Sequence, residues 1–85
     1  MRAKIDFSIP RFPSVAQRKE LNGFIRELGA ILYLPEYKDR LVGTCATDIF
    51  FSAEIKTKSY NDELVEKIAP ILKKYKGTSL TVELW

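Results

Sequence analysis

The spacing of apolar residues changes period along the chain, and the order of those changes defines its elements. Residues 3–9 alternate, with Ala3, Ile5, Phe7 and Ile9 on one side and Lys4, Asp6 and Ser8 on the other. A period of two is a strand with one buried face. Pro10 removes an amide donor and Pro13 keeps the following link extended. From Ser14 the period becomes 3.6, and Val15, Leu21, Phe24, Ile25 and Leu28 predict a helix over 14–28. Ser14-Val15-Ala16-Gln17 has the form of a capping box, and Gly29 stands where a left-handed residue would close the helix. Gly23, inside the helix, costs roughly 1 kcal/mol relative to alanine.

Ala30 to Leu34 is an apolar run stopped by Pro35, and predicts a short strand over 30–34. Glu36 to Gly43 is polar and reads as a loop. Alternation returns in a strand beginning near Thr44 and firm over 46–57, with Ile49, Phe51, Ala53 and Ile55 inward and Phe50, Ser52, Glu54 and Lys56 outward. A second helix is predicted over 60–76, capped by Ser59 or Asn61 and carrying Leu64, Val65, Ile68, Ile71, Leu72 and Tyr75 on its inner stripe. Pro70 should kink it or divide it in two, and Gly77 ends it. The last strand, 79–85, points Leu80, Val82 and Leu84 inward. The order β-α-β-β-α-β predicts a two-layer α+β domain of the split-βαβ, ferredoxin-like kind. Its sheet should be four-stranded and antiparallel, of order 4-1-3-2, with two helices on one face.

Eighty-five residues make one domain, 1–85, and 46% hydrophobic residues suffice for one core. The chain has no histidine and one cysteine, Cys45. That removes the commonest general base and the zinc spacings, and a lone cysteine beside a strand usually packs. The four glycines are scattered and form no phosphate loop. The sequence therefore argues against an enzyme, a metal or a cofactor. No apolar leader follows Met1, and Gly29 to Leu34 is too short to cross a membrane, so a soluble, cytoplasmic protein is expected.

What remains is surface. The net charge is +3, and all five arginines lie in the first half of the chain. Arg18, Asn22 and Arg26 recur at i, i+4 and i+8 on the first helix, with Lys19 beside them, Arg11 before them and Arg40 beyond. Such a face could grip an acidic protein patch or phosphates. On the helix-free side of the sheet, Phe50, Trp85 and Tyr33 stand out among polar residues. Aromatics beside lysines on an open sheet can stack bases as RNA-recognition modules do, but neither RNP sequence is present. The last strand, with one charge and no proline, is a poorly defended edge. The sequence thus predicts a small binding protein (an inhibitor, adaptor or assembly subunit) acting on another protein. The alternative is binding of RNA or single strands. Self-association as a homodimer, through strand 79–85 or the open sheet face, is also expected.

Overall fold

The computed structural model describes residues 1–58, 62–75 and 80–84. Strand β1 (Arg2–Ser8) leads through a loop into helix α1 (Val15–Leu32). A 3-10 turn (Lys38–Arg40) precedes strands β2 (Leu41–Thr47) and β3 (Phe50–Lys56), followed by helix α2 (Glu63–Lys74) and strand β4 (Leu80–Leu84). The chain is α+β, with an open four-stranded sheet of order β2-β3-β1-β4 in which every neighbouring pair is antiparallel.

Register places the apolar residues of β1 and β3 side by side. Ala3, Ile5 and Phe7 lie opposite Ile55, Ala53 and Phe51, all buried. Leu21, Phe24, Leu28 and Leu32 of α1 and Leu64 and Ile68 of α2 close over that face to make one core. Phe24 sits at its centre. Its ring stacks on Phe7 at 4.8 Å and meets Phe51 and Tyr75 edge-on at 6.1 and 5.5 Å.

Several sequence expectations are corrected. Residues 30–34 are not a strand, because α1 continues to Leu32 and Tyr33 is its C-cap. The run Gly29–Leu32 extends the 3.6 stripe, so Leu32 buries one turn after Leu28, and a short apolar run fits either period. Gly29 is accordingly inside the helix. The single long strand is a hairpin, since Thr47 pairs with Phe50 across a two-residue turn, Asp48-Ile49. No described residue has a positive φ, so this turn is not the Asn-Gly kind that announces itself in sequence. Instead the Thr47 hydroxyl accepts from the Ile49 amide at 3.3 Å. Of the supposed loop 36–43, Leu41–Gly43 already belong to β2 and Lys38–Arg40 form the 3-10 turn.

Other expectations hold. The capping box is formed, with Gln17 N–H donating to Ser14 Oγ at 3.2 Å and Ser14 N–H to Gln17 Oε1 at 2.8 Å. Helix α2 corrects two others: its N-cap is Asp62 where the sequence predicts Ser59 or Asn61, and it runs as one helix through Pro70 rather than as two segments. Ser59, Asn61, Gly77, residue 79 and Trp85 lie outside the described residues.

Gly23 has a packing role. A Cβ there would lie 2.7 Å from the Tyr75 hydroxyl, which reaches across from α2. That hydroxyl and the Lys74 ammonium, 2.9 Å away, hold the Glu27 carboxyl below the usual carboxylate range. Gly23→Ala should therefore fail to yield the roughly 0.5–1 kcal/mol that a helix-interior glycine normally releases. In a Tyr75→Phe background the next ring atom is 3.6 Å away, and the same substitution should stabilise. Urea unfolding of the four variants checks this; equal effects of Gly23→Ala in both backgrounds would contradict the contact.

Candidate binding surface

The Ile9 amide donates to the Ile49 carbonyl at 2.9 Å, tying the end of β1 to the β2–β3 turn. The Ser14 cap starts α1 close by, so the 10–13 loop, the first turns of α1 and the hairpin turn share one end of the molecule. There Arg18, Leu21 and Asn22 face Thr47 and Asp48 around a cleft of about 210 Å³. Just before it, Phe12 is 87% exposed, with the Arg11 guanidinium over its ring at 5.8 Å. Val15, on the first turn, is 70% exposed. Two large apolar side chains this exposed within four residues form a patch that water solvates poorly. Among the described residues, Arg11, Arg18, Lys19 and Arg26 take part in none of the ion pairs, which are Arg2–Glu54, Arg40–Asp62 and Lys74–Glu27.

Strand β2 runs into this cleft at Thr47 and forms one edge of the sheet. Six of its seven residues are exposed. Leu41–Thr47 contains no charge and no proline, which are two common guards of a free edge. A bulge at Val42 is its one irregularity. Thr44 and Ala46 pair with the buried Ala53 and Phe51, so they face the helix side of the sheet, yet both are exposed. The helix layer stops short of β2. At its Thr47 end this edge meets the cleft lined by Arg18, Leu21 and Asn22 of α1.

The structure separates the residues singled out from sequence. Arg18 and Asn22 line the cleft, and Arg11 lies on its approach; Lys19 and Arg26 are exposed on α1. Arg40 is not a free cation: its guanidinium pairs with buried Asp62, and Nε donates to the Lys56 carbonyl at 3.0 Å. Tyr33 is the C-cap of α1 rather than a strand residue, and is 60% exposed. Phe50 lies on the outer sheet face but is half-buried, and Trp85 is outside the described residues. Tyr33, as the cap of α1, therefore stands on no strand beside Phe50. Cys45 is exposed on β2 rather than packed.

Phe12 and Val15 are the residues that sequence reading missed. Val15 was assigned to the core stripe, but at 100° per residue it stands roughly 135° from the centre of the Leu21, Phe24, Leu28 and Leu32 stripe. A strict helical wheel would have found it. No signal marked Phe12, which belongs to neither period.

Among the described residues, no group of His, Cys, Asp and Glu could hold a metal ion, and no helix is long and apolar enough to cross a membrane. Comparison with protein-family models, with curated proteins and with solved structures gave no match.

Proposed function

We propose that the chain is a small non-catalytic binding domain that engages another protein through Phe12, the Arg18 cleft and the adjoining β2 edge. The observation that carries this reading is exposure: an almost fully solvated Phe12 near arginines with no ion-pair partner among the described residues, and an uncharged exposed edge strand that meets the Arg18 cleft. Interface energy concentrates in aromatic and arginine side chains set beside pockets, and free strand edges accept partner strands through main-chain hydrogen bonds. The fold would be the ferredoxin-like split βαβ, because the sheet order counted from β4 is 4-1-3-2. A reducing, cytoplasmic setting suits an exposed lone thiol at Cys45.

The test is affinity capture from nuclease-treated lysate with wild type, Phe12→Ser and Arg18→Glu. Both side chains are exposed, so neither variant should disturb the fold. A protein recovered at fixed stoichiometry with wild type and lost with both variants supports the proposal. Capture that disappears with nuclease instead points to nucleic acid. Binding of single strands should then weaken with salt at a log–log slope of about −0.7 per phosphate contact.

A further inference from the structure

Resting on that reading, we infer that the partner element is an extended segment that adds to β2 as a fifth strand and presents a carboxylate to Arg18. The β2 edge supplies the hydrogen-bonding row. Its sheet neighbour β3 lies on the other side, and nothing among the described residues pairs with the free side. A strand added there alternates its side chains between the two faces. Those on the helix side lie beside the exposed Thr44 and Ala46 and, at the Thr47 end of the strand, reach the cleft that carries Arg18 and Asn22. Those on the other side meet Gly43 and Cys45 and need only be compatible with water.

Charge decides between occupants. Among the described residues the cleft's cation, Arg18, has no carboxylate partner within ion-pair distance, and Arg26 lies two turns further along the same helix. A planar guanidinium at the rim of a cleft selects a bidentate acceptor. A second copy adding through its own β2 would bring an uncharged strand and set its own α1 arginines toward these. Its β2 strand and the turn that follows would supply no acid except Asp48, which already sits at the cleft. An acidic, alternately apolar segment of another protein meets both requirements, the strand edge and the unpaired cation.

The probe is a phage-displayed library of random strand-length peptides, panned against the whole chain. Enriched peptides are expected to alternate apolar residues and to carry Asp or Glu at a helix-side position. On binding, amide exchange should slow at alternate residues of Leu41–Thr47. Arg18→Glu should weaken acidic peptides roughly tenfold, the loss of one charge-assisted hydrogen bond, and should enrich basic peptides in their place. If β2 amides are protected but charge preference is unmoved by Arg18→Glu, the acidic-partner inference is wrong while strand addition stands. If the enriched peptides leave β2 exchange unchanged, or none are enriched, both fail. Sedimentation showing a dimer with β2 already protected would assign the edge to a second copy and overturn the inference.

Discussion

Phe24→Ala should lower stability more than truncation of any other side chain in the core, by about 3–5 kcal/mol. Phe24 is fully buried and touches aromatic rings from three other elements: Phe7 of β1, Phe51 of β3 and Tyr75 at the end of α2. Deleting its ring removes the transfer free energy of a buried phenyl and leaves a cavity bounded by rings that cannot all move inward at once. Each lost offset or edge-on pair adds about 0.5–1.5 kcal/mol. A domain of this length has only about 4–13 kcal/mol to lose, so melting should fall by roughly 15–30 °C. Phe24→Leu, which refills part of the space, should cost less than half as much. A drop below about 1 kcal/mol for the alanine variant, with an unchanged urea slope, would mean that the core is centred elsewhere.

The periods that place Phe24 at the centre were legible, and so were the errors around it. Strict alternation over 3–9 and 50–56 specified β1 and β3, because a one-residue slip would have exposed every buried side chain in them. Helix α1 was legible at its start, where Ser14 and Gln17 cap it reciprocally, and illegible at its end. There Gly29 looked like a stop, but the residues beyond it, Ile31 and Leu32, pack better on the helical stripe than as a strand. Strand β2 is merged with β3 in the sequence reading, and its first residues pass for loop, because it has no alternation to see. Its helix-side residues Thr44 and Ala46 are small and exposed, so no buried face imprints a period of two on the sequence. That same lack of a buried face makes it a free edge. The least legible strand is thus the one proposed to bind.

Arg40 illustrates the same limit. Its type and charge suggested a contact for an external anion, whereas only the fold brings it to Asp62, 22 residues later. Sequence distance hid the partner, and no local pattern could have disclosed it.

Breaking that pair is the second large effect expected. The Asp62 carboxylate, on a residue 5% exposed, caps α2 by accepting from the Leu64 amide at 2.9 Å. It also accepts from the Lys58 amide at 2.6 Å and from the Arg40 guanidinium. Burial alone would raise its pKa, but Arg40 and the two amides outweigh burial and bring it down to about 2 from 3.8. A depressed folded-state pKa stabilises the protein above the unfolded value and ceases to do so as pH falls toward the folded one. Asp62 should therefore contribute about 2 kcal/mol near neutrality, lost progressively between about pH 5 and pH 2. Arg40→Met leaves a buried carboxylate without its cation and should cost about 3 kcal/mol at pH 7. Asp62→Asn keeps the shape but loses the charge, so it should destabilise at pH 7 and flatten the acid limb of the stability curve. Urea midpoints measured from pH 7 to pH 2.5 separate these effects. Near pH 2.5, where the carboxylate in the wild type is losing its advantage, wild type and Asp62→Asn should converge. If the gap between them stays constant across that range, the stabilisation at this junction does not come from the ionised carboxylate.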